Sequence, residues 1–93
     1  MILDAKVFEK VSKALGDPYR LKIIEKIQKN GDFVPCTSIL DLCGLSQSTV
    51  SHHIKQLVDA NLLVAVKEGR NVKYILNKES FGNYIDFLNK FQQ

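Results

Sequence analysis

Residues 44–57, "GLSQSTVSHHIKQL", decide how this chain is read. Leu45, Val50, Ile54 and Leu57, with Val58 just beyond, recur at helical spacing. From residue 45 to 57 everything between them is Ser, Gln, Thr, His or Lys, and no carboxylate occurs. Gly44 makes a tight turn and Ser46 is a good N-cap, so a helix is expected from Ser46 to about Ala60, with Asn61 closing it in left-handed geometry. Val50, Ile54, Leu57 and Val58 form its core stripe. His53, three residues after Val50 and four before Leu57, falls on or beside that stripe.

The opposite arc carries Gln47, Ser48, Ser51, His52 and Lys55, with Thr49 at its flank. A solvated face usually mixes both charges and includes Glu, a strong helix former. Ser46, Ser48, Thr49 and Ser51 are poor helix formers, and only Ser46 is explained as a cap. Short hydroxyls and an amide near a helix N-terminus are instead suited to base edges and phosphates, where the helix dipole favours an anion. At roughly 20 Å, such a helix fits the major groove.

On the N-terminal side, Val7, Phe8, Val11 and Leu15 predict a helix over 4–15. "GDPYR" then offers Asp17 as N-cap and Pro18 as first helical residue of a second helix. That helix runs to about Lys29, burying Leu21, Ile24 and Ile27, and Asn30-Gly31 end it with residues that tolerate left-handed geometry. "DFVPCTSILDLCGL" reads as a short third helix with Pro35 near its start and Ile39, Leu40 and Leu42 inside. Beyond Asn61, runs at 62–67 and 72–77 flank "EGRN" and predict a β-hairpin. Residues 79–92 return to helix, with Phe81, Tyr84, Ile85, Leu88 and Phe91 at spacings of three and four. The order α-α-α-α-β-β-α is mainly α with a hairpin wing, a winged helix-turn-helix.

The 93 residues fit one domain, 1–93. The net charge of +3 sits in its middle third. Residues 46–78 carry Lys55, Lys67, Arg70, Lys73 and Lys78 against Asp59 and Glu68, five against two. The flanks nearly balance, with seven cations against six anions over 1–45 and one against two over 79–93. That placement suits a local contact with a polyanion. Lys67, Arg70 and Lys73 cluster at the hairpin tip, where Arg70 either enters the minor groove or clamps a phosphate. The N-terminus is charged by residue 4, so neither a signal peptide nor a membrane span is expected. Two cysteines, with no signal, point to the reducing cytoplasm and free thiols.

"LGDPYRLKII", "GLSQSTVSHHIKQL" and "EGRNVKYIL" resemble, in order, the second helix, the turn with recognition helix, and the wing of the ArsR/SmtB (arsenic-repressor-like) family of transcriptional regulators. The resemblance is strong over about residues 8–78. It implies a homodimer, built from the first and last helices, that binds double-stranded DNA at a palindromic operator and represses transcription. It places DNA contacts at Gln47, Ser48, Thr49, Ser51 and His52, to which the reading above adds Ser46, Lys55 and the wing cations. Periodicity supports the dimer independently. The last helix presents Phe81, Tyr84, Ile85, Leu88 and Phe91, and the first presents Val7, Phe8 and Val11, more apolar surface than so small a core needs.

Many members of the family release DNA on binding a metal or metalloid, and here the expected ligand patterns are missing. Where paired cysteines resembling "CVC" would precede the turn, Cys36 stands alone, and Cys43 reads as a buried structural thiol. "ESFGNYIDFLNKFQQ" has no His to accompany Asp86 and Glu79. No metal and no cofactor is expected. Cys36, near the start of the third helix, is a candidate redox thiol. Nothing assembles a catalytic site, so an enzyme is not expected. The competing reading is a winged-helix protein-interaction module without specific DNA binding, which Lys55, His52 and the basic wing disfavour.

Overall fold

The computed structural model describes residues 4–30, 33–35 and 44–93, and of 33–35 the backbone. Helix α1 (Ala5–Leu15) starts at Asp4, whose carboxylate accepts the Val7 N–H at 2.9 Å. Helix α2 (Pro18–Lys29) begins at Asp17, which accepts the N–H groups of Tyr19 at 2.8 Å and Arg20 at 3.3 Å. Both caps satisfy donors that an isolated helix leaves open. Asn30 ends α2 at an ordinary negative φ of −95°, not in the expected left-handed geometry, and Gly31 lies outside the described residues.

The core stripe of α2 differs from expectation. Ile23 and Ile27 are fully buried, Ile24 is half-buried and Leu21 is 43% exposed. Ile23 and Ile27 are one turn apart on one face, and Leu21 lies about 200° around the helix from Ile23.

A second difference is strand β1 (Phe33–Pro35), where the third helix was expected to begin. It pairs antiparallel with β3 (Asn71–Leu76), Phe33 opposite Ile75 and Pro35 opposite Lys73. Proline is tolerated there because β1 is an edge strand. The rest of that expected helix, with Cys36, Ile39, Leu40, Leu42 and Cys43, lies outside the described residues.

Helix α3 (Gln47–Asp59) leads through Asn61 into β2 (Leu63–Glu68), which hairpins back into β3. The sheet order is β1-β3-β2. The hairpin loop is two residues, Gly69-Arg70, rather than the four of "EGRN". Glu68 faces Asn71, and φ is positive at Gly69 (+60°) but not at Arg70, the pattern of a type II′ turn. Helix α4 (Lys78–Asn89), capped by Asn77 and extended by a 3-10 turn at Lys90–Gln92, completes the described elements.

One apolar cluster joins them: Val11 and Ala14 from α1, Ile23 and Ile27 from α2, Val50, Ile54 and Leu57 from α3, and Ala60, Leu62 and Leu63 after it. Each fully buried aliphatic side chain stabilises by about 1.5–3 kcal/mol. The cluster fixes the buried side of α3 and so determines which side faces outward. No helix among the described residues is long and apolar enough to cross a membrane.

Candidate nucleic-acid interface

The outward side of α3 is the arc expected from the sequence. Gln47, Ser48, Thr49, Ser51, His52 and Lys55 are all exposed, while Val50, Ile54 and Leu57 are buried. Ser46 is also exposed, but its hydroxyl is engaged. It accepts the Thr49 N–H at 3.3 Å and lies 2.8 Å from the Thr49 hydroxyl and 3.3 Å from that of Ser48. Ser46 and Thr49 thus close the N-terminus, and Gln47, Ser48, Ser51 and His52 project from the first turns with no carboxylate among them.

The other end of α3 is locked as firmly. Asn61 adopts φ +61°, its N–H reaches the Val58 carbonyl at 2.9 Å, and the Leu62 N–H reaches Leu57 at 3.0 Å. This pair of bonds is a Schellman closure, and its hydrophobic partners Leu57 and Leu62 are both fully buried. The Asn61 amide also donates to Ser80 at 3.3 Å, tying the end of α3 to the start of α4.

The two histidines divide as the spacing requires. His53 is 8% exposed, and His52 beside it faces solvent. His53 Nδ1 accepts from Arg20 Nε at 3.2 Å, a role that nitrogen can fill only while it carries no proton. The same guanidinium donates through Nη1 to the carbonyls of Lys13 at 3.1 Å and Ala14 at 3.5 Å, at the C-terminal end of α1. The Tyr19 ring stacks on His53 at 6.0 Å. Asp17 completes this group. Slight burial pushes its carboxyl up, but the backbone N–H groups of Tyr19 and Arg20, with the neighbouring His53 ring and the Arg20 guanidinium, outweigh that and hold it below the usual carboxylate range. Sequence reasoning gave no role to Tyr19 and Arg20. "GDPYR" marked only a helix start, and Arg20 meets its histidine 33 residues further along the chain.

The wing brings its cations forward unequally. Arg70 sits at the exposed tip and Lys67 is exposed on β2. Lys73, in contrast, is half-buried along β3 and forms an ion pair with Glu68, because its strand position places it beside that carboxylate.

The first and last helices meet within one chain. Phe8 stacks on Tyr84 with ring centroids 5.5 Å apart and touches Phe87 at 4.7 Å, and the Tyr84 hydroxyl lies 2.8 Å from that of Ser12. Val11, expected at a surface between subunits, is 1% exposed in the chain's own core, because α1 turns that position toward α3. Phe8, Phe81 and Tyr84 are half-buried. Val7 (40% exposed), Ile85 (54%), Leu88 (41%) and Phe91 (73%) remain open. Phe87 was missed by the sequence reading, although it stands three residues after Tyr84 and four before Phe91.

A capped helix with an outward polar and cationic face, followed by a basic hairpin, defines a DNA-binding winged helix-turn-helix, and residues 15–66 match the family model described as a helix-turn-helix domain. The chain belongs to the ArsR/SmtB family of transcriptional regulators, and is a DNA-binding regulator rather than an enzyme. It is similar to the arsenical resistance operon repressor of Staphylococcus xylosus, 35% identical over 85 residues that cover 91% of this chain and 76% of the other. An uncharacterized HTH-type transcriptional regulator of Methanocaldococcus jannaschii is 40% identical over 68 residues, 72% of this chain and 75% of that one. A crystal structure of an ArsR family transcriptional regulator superposes with a TM-score of 0.87 over 99% of this chain and 93% of its own, at 20% identity, which bears on the fold alone.

Proposed function

We propose that the protein is a homodimeric, sequence-specific repressor of the cytoplasm that reads a palindromic operator with α3 and flanks it with the wing. The observation that carries this reading is the exposed, carboxylate-free arc of Gln47, Ser48, Ser51, His52 and Lys55, held rigid by caps at both ends of α3. Gln47, Ser48, Ser51 and His52 address base edges. Ser46 and Thr49 orient the helix N-terminus toward a phosphate, and Lys55, Lys67 and Arg70 meet the backbone. Lys73 contributes only as far as it leaves Glu68.

The second subunit covers Val7, Ile85, Leu88 and Phe91, with Phe8, Phe81 and Tyr84 packed behind them. A two-fold dimer places two copies of α3 on successive half-sites, which is why a palindrome follows. The names of some relatives refer to arsenical and cadmium resistance. For this chain, regulation through Cys36 oxidation, another ligand or protein abundance fits the residues better than a metal site of either family type, since both histidines lie on α3.

The test is selection of a duplex from a random DNA pool with the purified protein, followed by titration against that duplex and a scrambled one. Gln47→Ala or Ser51→Ala is expected to weaken specific binding by about 1–3 kcal/mol and leave non-specific binding nearly unchanged. Wild-type affinity in both variants refutes the assignment of this face.

A further inference from the structure

We propose that Arg20 is a positioning residue for DNA recognition, clasping α3 to the C-terminal end of α1 through a neutral His53, and that protonation of His53 releases the clasp and weakens operator binding. The proposal rests on the reading of α3 as the recognition helix. It starts from one guanidinium that makes hydrogen bonds in two directions. Its Nη1 holds two carbonyls of α1, and its Nε holds an imidazole of α3. Asp17 fixes the base of Arg20 by capping the first turn of α2, and Tyr19 covers the flat face of the ring. Three helices therefore converge on one side chain. One of them carries the reading face and another contributes to the surface assigned to the second subunit.

The chemistry of the contact makes it conditional. A guanidinium has donors and no acceptor. Nδ1 of His53 can accept from it only while unprotonated. A proton there removes the acceptor and sets two cations against each other at a site 8% exposed. The charged and titratable groups around the ring are Arg20, Tyr19 and Asp17 from α2 and His52 from its own helix, while α1 contributes carbonyls through Arg20. Arg20 repels an imidazolium. Asp17 attracts one, but its Oδ1 already accepts two backbone N–H groups. His52, the adjacent residue, projects outward, so a rotation of α3 that follows loss of the clasp re-aims the reading face directly.

The experiment measures affinity for the selected duplex by fluorescence anisotropy from about pH 8 to about pH 5.5 at constant ionic strength. It uses full-length protein carrying His52→Gln, so that the exposed histidine does not titrate against phosphate. In that background affinity is expected to fall about tenfold toward acid. His53→Asn, which keeps an acceptor near the Nδ1 position and cannot become a cation, is expected to hold affinity within about twofold across the range. Arg20→Ala is expected to bind about tenfold more weakly at the alkaline end and to lose the pH dependence. Arg20→Lys, which keeps the charge without the fork, is not expected to restore binding. Gln47→Ala is the control for the underlying reading: weaker binding with the pH profile retained. A Gln47→Ala protein that binds like wild type refutes that reading instead. An acid-side loss that persists in His53→Asn overturns the proposal, as does Arg20→Ala protein that binds with unchanged affinity and profile once folded. Should His53→Asn fail to fold, the imidazole nitrogen NMR shifts of the His52→Gln protein decide. A bare Nδ1 at alkaline pH that protonates in step with the loss of affinity supports the clasp, and an Nδ1–H at alkaline pH overturns it.

Discussion

Removing the Arg70 guanidinium is the sharpest test of how the wing meets DNA. Arg70 is the second residue of a two-residue turn and exposed, so Arg70→Ala takes away a cation without disturbing the β2–β3 register. One phosphate contact contributes about 0.9 to the slope of log K against log salt. Between about 50 and 200 mM salt, a fourfold change, that slope is worth about 3.5-fold in affinity per wing and about 12-fold for the two wings of a dimer. Arg70→Ala is therefore expected to bind more weakly at low salt, to approach wild type at high salt, and to flatten the slope by about 0.9 per subunit. Lys73→Ala serves as the internal contrast. Its ammonium already faces Glu68, so the expected change in slope is much smaller, although both residues are wing cations in the sequence. Anisotropy titrations on specific and scrambled duplexes at four salt concentrations measure both. An unchanged slope in Arg70→Ala refutes phosphate contact at the tip. A loss that appears only when the flank is A·T-rich assigns Arg70 to the minor groove instead.

Three further outcomes follow from the packing. Leu57→Ala leaves a cavity at a fully buried site that also anchors the Schellman closure, and chemical denaturation should show a loss of about 2–5 kcal/mol. Asp17→Ala removes the α2 cap and should lower stability by about 0.5–2 kcal/mol at neutral pH. Because the folded-state value of Asp17 is lowered, its contribution is present above the ordinary carboxylate range and lost as pH falls through the folded value, so the variant's melting temperature should decline less on acidification than that of wild type. Ile85→Asp and Phe91→Asp place charge on the exposed apolar side of α4 and its extension. Sedimentation should show monomers with an unchanged circular dichroism spectrum, and a wild-type dimer in both would move the subunit interface elsewhere.

Much of this arrangement was legible because it depends on short-range patterns. The turn at Gly44, the Ser46 cap, the left-handed Asn61 and the opposite fates of His52 and His53 all follow from spacing within one helix. The Asp17-Pro18 start of α2 was equally local. What failed depends on distant partners. β1 is three residues long and exists through hydrogen bonds to a strand some 40 residues away, as the Phe33–Ile75 pairing shows, so no periodicity announces it. Leu21, Ile23, Ile24 and Ile27 offer α2 two overlapping stripes, and only the position of α3 selects Ile23 and Ile27. Val11 fits a core or an interface equally well in the sequence, and the tertiary packing assigns it to the core. Lys73 is equivalent to Arg70 in composition, but its place on the strand pairs it with Glu68.

The composition of α3 explains why its ends are so elaborately closed. Ser48, Thr49, Ser51, His52 and His53 each have lower helix propensity than Ala by a few tenths of a kcal/mol, and the two faces together include no carboxylate before Asp59 to offset them. Left to propensity, a segment of 13 residues with this content is marginal in water. Its order comes from elsewhere: a serine cap at the first turn, a Schellman closure at the last, the buried residues between them, and Arg20 gripping His53 from outside the helix. With stability supplied from the ends and the inner face, the outer face is released from helix-forming duty. Gln47, Ser48, Ser51 and His52 are then free to match base edges, and substitutions among them should alter operator preference while leaving the melting temperature nearly constant. The same logic locates the sensitive point of the molecule. Because α3 holds its shape through its contacts, a change at Arg20 or His53 alters the presentation of the reading face without touching DNA.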